Sequence, residues 1–282
     1  MTDAGLILEG GGMRGLYTAG VLDYLLDAKL YFPWVYGVSA GACHGASYVS
    51  RQRGRAVRTV LDFLHDRHYA SFHSLLTTGD FFGVDMIYRK IPDELLPFDY
   101  DAYAASDSRM IVVVFNCRTG ACAYLPATDL RRHIDYIRAS SSLPLLSRMV
   151  RISGEPYLDG GIGDSIPLEH AMREGRSSNL VVLTQHRGYR KSPEGAMLPL
   201  MRRKYAAYPQ VAESMRTRHE RYNAQLAFVY EQERLGKALV IQPGEPVTIG
   251  RMEKDAGKLR ALYEQGYADA KAKEPEIRQL IG

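Results

Sequence analysis

Two glycine-rich turns, each directly behind a short apolar run, constrain this chain more than any other feature. Leu6-Ile7-Leu8 leads into Gly10-Gly11-Gly12-Met13-Arg14-Gly15, and Trp34-Val35-Tyr36 leads into Gly37-Val38-Ser39-Ala40-Gly41. A short apolar run stopped by glycine reads as a buried strand. After the first turn, residues 16–26 are apolar on nearly every face, the pattern of a buried helix. After the second come Ala42-Cys43-His44-Gly45-Ala46, small side chains that let a helix pack closely against its neighbours. Strand, glycine turn and helix, twice in succession, point to a parallel sheet with helical crossovers.

The remaining chain extends the same pattern. Met110-Ile111-Val112-Val113-Val114-Phe115 is a continuous β-branched run, expected of a central strand covered on both faces. Arg118-Thr119-Gly120 then turns it back into residues 121–125 as a hairpin. Residues 180–183 and 239–241 read as further buried strands, and residues 130–138 and 167–174 as helices, the latter stopped by Gly175. The expected fold is therefore α/β, a mostly parallel sheet with helices on both faces. Residues 75–108 interrupt the alternation and are read as a cap over a site in preference to a simple packed connection. With 282 residues, 46% hydrophobic and 24% charged, the chain has the composition of a globular protein with a sizeable core, which excludes disorder and coiled coil. No run of about 18 apolar residues suggests a membrane span. Asp3 stands where a secretory leader needs positive charge, and three cysteines, an odd and sparse set, fit a reducing compartment. The expected location is cytoplasmic.

The chemistry starts from the two turns. Gly10–Gly15 satisfies the dinucleotide pattern G-x-G-x-x-G, but that reading also needs an acid at the end of the next strand, where Gly37-Val38-Ser39 stands instead. No Gly-Lys-Ser/Thr closes the loop, so it is not a nucleotide P-loop. What remains is a row of backbone N–H groups at a helix start, suited to developing negative charge. Gly37-Val38-Ser39-Ala40-Gly41 is G-x-S-x-G at a strand-to-helix turn, the arrangement that exposes a nucleophilic serine. The plain alternative for Ser39 is a helix cap.

A serine nucleophile needs a base. His170 and His186 follow a candidate acid in the order Ser…Asp…His, yet Ser39 comes after only two strands, early for that kind of triad. His44 lies on the elbow helix, turned from the hydroxyl, and His65, His68 and His73 lack the spacing of a metal site. Asp159, in Tyr157-Leu158-Asp159-Gly160-Gly161, is the better candidate. Its two following glycines are costly in backbone entropy unless the chain bends sharply there, although Asp-Gly is also a common turn.

In combination these blocks resemble the patatin-like phospholipases: the loop Gly10–Gly15, the elbow Gly37–Gly41, Ala139-Ser140-Ser141-Ser142-Leu143-Pro144, and Asp159-Gly160-Gly161, in the family's order. Residues 251–270 are similar, less specifically, to the C-terminal helix of bacterial members. The resemblance implies a three-layer α/β/α sandwich, Ser39 as nucleophile, Asp159 as base and no triad histidine. It also implies Gly10, Gly11, Gly12, Met13, Arg14 and Gly15 as oxyanion hole, with Gly37, Val38, Ala40 and Gly41 shaping the elbow and Gly160 and Gly161 the base motif. The implied reaction is hydrolysis of a lipid or other carboxylic ester, with no cofactor and no metal. An acyltransferase of the same fold, or a non-catalytic lipid-binding scaffold, is the alternative. Residues 1–186 are expected to form the catalytic core and residues 187–282 a helical and strand extension packed on the same domain.

Charge adds one more expectation. The formal net charge is +4, but residues 187–282 alone carry 18 Lys and Arg against 12 Asp and Glu. Most of that excess lies between Arg187 and Arg221, interleaved with Met197, Leu198, Leu200, Met201, Tyr205 and Tyr208. Such a stretch is either a solvated helical face or a peripheral contact with anionic lipid. No nucleic-acid reader motif accompanies it.

Overall fold

A computed structural model describes residues 3–193 and 195–282. Eight strands form one sheet: β1 (Gly5–Leu8), β2 (Trp34–Val38), β3 (Arg109–Asn116), β4 (Cys122–Pro126), β5 (Val150–Ile152), β6 (Glu155–Asp159), β7 (Asn179–Val182) and β8 (Ala238–Ile241). Their order is β5-β6-β3-β2-β1-β7-β8, with β4 pairing on β3. The pairs β3–β2, β2–β1, β1–β7 and β7–β8 are parallel, whereas β4 and β6 run antiparallel to β3, and β5 to β6. The strands expected from the apolar runs are all present. β5 is an addition: its pattern, Val150-Arg151-Ile152, is too short to register as a periodic signal.

Alternation along the strands sorts the core into two layers. Leu6, Leu8, Val35, Val112, Val114, Leu180 and Val182 face one side, where they meet helices Gly15–Asp27 and Ala40–Val49. Ile7, Tyr36, Ile111, Val181 and Val240 face the other, against helices Leu168–Arg173 and Arg218–Arg234. The architecture is a three-layer α/β/α sandwich. Helix Gly15–Asp27 is buried on almost every face because helix Ala256–Ala272 covers its outer side. There the two backbones nearly touch. A Cβ on Gly20 would lie 1.9 Å from the Tyr263 carbonyl oxygen, and one on Gly266 would lie 2.1 Å from that of Tyr17.

The interrupted region 75–108 folds as helix Phe72–Thr78, a π-helical stretch Met86–Leu95 and helix Tyr100–Ala104. Buried Asp80 anchors it by accepting from both the amide and Nε of Arg148, each at 2.8 Å.

Candidate active site

Strand β3 brings the two halves of the site together through its register. Val113 pairs with Val38, the last residue of β2, and the next residue, Val114, pairs with Asp159, the last residue of β6. The ends of two strands distant in sequence thus meet on adjacent positions of one rail. Ser140 locks the junction: its buried hydroxyl accepts from the Ser39 amide at 2.8 Å and donates to the Val113 carbonyl at 2.7 Å.

Ser39 sits at φ 54°, ψ −122°, immediately before helix Ala40–Val49. A non-glycine residue there stores roughly 1–3 kcal/mol of backbone strain, which the surrounding structure must hold. The flanking glycines explain how the turn is possible. A Cβ on Gly41 would come within 2.4 Å of the Leu8 carbonyl oxygen, and one on Gly37 within 2.7 Å of Ala42 Cα. Ser39 therefore forms a strained elbow and makes no side-chain capping bond.

Asp159 is buried, and burial raises its pKa above the ordinary carboxylate value. The Ser39 hydroxyl, the Gly161 amide and the guanidinium groups of Arg218 and Arg251 pull it partly back. Its Oδ1 accepts from Gly161 N at 2.7 Å. Among the described residues, nothing forms a hydrogen bond of ordinary geometry with its buried Oδ2. The Ser39 hydroxyl thus lies beside the carboxylate.

The glycine loop packs against the same point. A Cβ on Gly10 would stand 3.0 Å from Ser39 Cβ, and Gly12 adopts φ +58°. Further along, the loop's amides are engaged. Met13 N donates to Arg251 O at 3.2 Å, Arg14 N to Gly11 O at 3.3 Å, and Gly15 N to the carbonyls of Gly12 and Met13. Among the described residues, none accepts from the amides of Gly10, Gly11 or Gly12. Below the loop, buried Glu9 accepts from Thr184 N at 2.6 Å, Thr184 Oγ1 at 3.0 Å and the Tyr222 hydroxyl at 2.6 Å.

One cavity of about 170 Å³ collects these parts; Gly10 to Met13, Ser39, Ala40, Asp159 and Gly161 line it. Arg14, Gly15, Gly37, Val38, Gly41 and Gly160 are not part of its lining. Phe82, Ile87, Tyr88, Phe98 and Tyr100, all from the region read as a cap, complete it. His170 and His186 lie elsewhere. The first stacks on Tyr124 and meets Glu174 at 3.1 Å, and the second packs near Tyr189. His44 lines the cavity, and burial pushes its pKa down to about 4. Sequence reasoning gave no role to Glu9, Thr184 or Tyr222, because only the fold brings them under the loop. Ser140 was visible as part of a motif, but its bond to the elbow was not.

Residues 6–172 match the family model of the patatin-like phospholipases. The chain belongs to that family. Residues 208–282 match a second model, described as a domain of unknown function, DUF6363. The uncharacterized protein YjjU of Escherichia coli K12 is 32% identical over 185 residues, 64% of this chain and 51% of that protein. Lysophospholipase NTE1 of Yarrowia lipolytica is 27% identical over 184 residues, 61% of this chain and 12% of its own length. Mouse Pnpla3, described as a 1-acylglycerol-3-phosphate O-acyltransferase, is 25% identical over 175 residues, 58% of this chain and 40% of its own. The matched region spans about half or less of each of these relatives.

The basic side chains between Arg187 and Arg221 meet different partners. Arg187 pairs with Glu233 at 2.6 Å and Arg216 with Glu213 at 2.6 Å. Arg218 donates to the Gly161 carbonyl, and Arg221 to those of Ile162 and Ser214. Met201 and Tyr205 are buried, and the Tyr205 hydroxyl accepts from Leu145 N. Exposed Met197 and Leu200 accompany the exposed Arg202, Arg203 and Lys204 on helix Leu198–Lys204. Among the described residues, no helix is long and apolar enough to cross a membrane.

Proposed function

We propose that this protein is a serine acyl hydrolase that cleaves carboxylic esters of lipids through an acyl-Ser39 intermediate, with Asp159 as the general base. The observation that carries the reading is the meeting of a strained serine elbow and a buried, incompletely bonded carboxylate on adjacent residues of β3. Asp159 Oδ2 takes the Ser39 proton as Oγ attacks the ester carbonyl carbon. The amides of Gly10, Gly11 and Gly12 receive the oxyanion, each such donor contributing about 3 kcal/mol in comparable sites. Met13, Arg14 and Gly15 hold the loop's shape through bonds of their own. The proton passes to the departing alcohol. Water, deprotonated by the same carboxylate, then releases the fatty acid and restores Ser39. The raised pKa of Asp159 supports this assignment, since an ordinary carboxylate is too weak a base for a hydroxyl.

A second acceptor is an alcohol in place of water, which would make the protein an acyltransferase; the 25% identity to Pnpla3 lends that reading weak support. Residues 187–282 are proposed to work as part of the catalytic domain. Helix Leu198–Lys204, with its exposed apolar and basic side chains, is the proposed contact with anionic membrane. The test is labelling with a fluorophosphonate, together with hydrolysis of a panel of lipid esters. Stoichiometric labelling that vanishes in Ser39→Ala is expected. Equal labelling of the variant would refute the nucleophile. Product analysis with a lysolipid acceptor present separates hydrolysis from transfer.

A further inference from the structure

Arg55 is anomalous among its neighbours. Of the arginines around it, Arg53 pairs with Asp27 at 3.0 Å, Arg58 pairs with Asp62 at 3.0 Å, and Arg51 donates to Ser108 and lies over the Tyr31 ring. Arg55 instead turns into the cavity that contains Ser39. One of its N–H groups donates to the Leu96 carbonyl at 3.1 Å, and its guanidinium carbon lies 4.9 Å from the centre of the Phe98 ring. Its Nε is buried with no hydrogen-bond partner, and among the described residues no carboxylate forms an ion pair with it. Burial pushes its pKa down to about 10. It also opens helix Arg55–Leu61, whose first turn carries no acid, so the helix dipole opposes the charge as well. Asp159 lines the same cavity, but among the described residues neither it nor any other carboxylate is paired with this guanidinium, which is held there against both effects.

The cavity gives that charge a defined relation to the reacting serine. Ser39, Cys43 and Ser47 line it at intervals of four, so it runs along one face of the elbow helix. Arg55, Ala56 and Thr59 face it from the next helix. The guanidinium and Ser39 thus line one and the same cavity, with Cys43 on the wall of the elbow helix.

We propose that Arg55 is an anion receptor inside the Ser39 cavity, selecting acyl esters whose phosphate or carboxylate reaches it while the ester carbonyl lies at Ser39. The placement of the carbonyl rests on the hydrolase reading above; the binding of an anion by Arg55 does not. The planar fork of arginine suits both oxyanions, and excluding water strengthens the contact.

Two pairs of probes distinguish a head-group phosphate from a carboxylate at the far end of the acyl chain. In the first, binding of octanoyl lysophosphatidate and of monooctanoylglycerol to Ser39→Ala is measured calorimetrically, below the concentrations at which either aggregates. In the second, wild-type kcat/KM is compared for a p-nitrophenyl hemiester ending in a carboxylate and a methyl-ended ester of equal length. At least one pair is expected to favour its anionic member by about 10-fold or more. Arg55→Gln is expected to bring that ratio close to 1, and Arg55→Lys to recover part of it. Should Arg55→Gln fail to fold, Arg55→Lys, which keeps the charge but not the fork, is expected to reduce the ratio by about 3-fold. No anionic preference in either pair, or a preference that survives these substitutions, overturns the proposal. A binding preference lost in Arg55→Gln, in a protein that turns over no ester, would leave the receptor standing and refute the hydrolase.

Discussion

At Asp159 the demands of stability and of the proposed chemistry conflict. The carboxyl is buried and its pKa is raised, so the folded state holds its proton more tightly than the unfolded chain does. Between the unfolded value near 3.8 and the raised folded value, the native state binds more protons, and stability falls as pH rises through that window. Asp159→Asn keeps the shape and removes the buried charge. Thermal unfolding at neutral pH should show a Tm higher by a few degrees, roughly what 1 kcal/mol gives in a protein of this size. Under the proposed mechanism the same variant loses at least about 100-fold in kcat. The acid limb of the wild-type kcat/KM profile should lie above the usual carboxylate range, because only ionised Asp159 accepts the serine proton. A limb near pH 4 would argue against Asp159 as base. Ser140→Ala strands the Ser39 amide and the Val113 carbonyl, at a cost of about 1–3 kcal/mol by denaturant titration.

Among the elements, the glycine loop depends on parts of the chain far from it. Its base is Glu9, held by Thr184 just beyond β7 and by Tyr222 from helix Arg218–Arg234. Its far side rests on the Arg251 backbone, where a Cβ on Gly12 would fall 2.7 Å from the carbonyl oxygen. Tyr222→Phe removes one partner of a buried carboxylate and leaves the ring in place. If the loop receives the oxyanion, kcat should fall several-fold with little change in KM, since the effect belongs to the transition state. A rise in KM alone would assign the network to substrate binding instead. The legibility of this region in sequence was uneven. The glycines announced a tight turn, but nothing near Tyr222 in the chain marks it as the partner of Glu9, because that bond spans 213 residues.

Across the whole molecule, the C-terminal residues are built into the sandwich. They contribute β8, helix Arg218–Arg234 on one face of the sheet and the outer wall of helix Gly15–Asp27. Tyrosine–carboxylate pairs join the two helices: Tyr17 with Asp269 at 2.6 Å, Tyr263 with Asp23 at 2.8 Å and Tyr267 with Asp27 at 2.9 Å. Gly266→Val forces a side chain against the Tyr17 backbone and should destabilise the protein by at least 1–3 kcal/mol, measured by urea unfolding. A single cooperative transition is expected for wild type, since the core clusters mix residues from both regions. Two separate transitions would divide the molecule near residue 186.

Local patterns settled the sheet class, the elbow and the short list of acids, because strand runs, glycine turns and G-x-S-x-G report on a few consecutive residues. The spatial relation between the serine and the acid depends on register. Ser39 and Asp159 face each other because Val113 and Val114 are neighbours on β3, a relation that spans 120 residues of chain and has no local signature. The same holds for charge. Residues 187–221 read in sequence as a basic stretch, either solvated or facing anionic lipid; in the fold Arg216 meets a carboxylate, and Arg218 and Arg221 meet backbone carbonyls. Arg55, one of several arginines in an unremarkable stretch, is instead turned into the cavity, and among the described residues no carboxylate forms an ion pair with it. Composition determines how much charge a chain carries; packing decides which of it is neutralised, and what remains inside a cavity is left for a ligand.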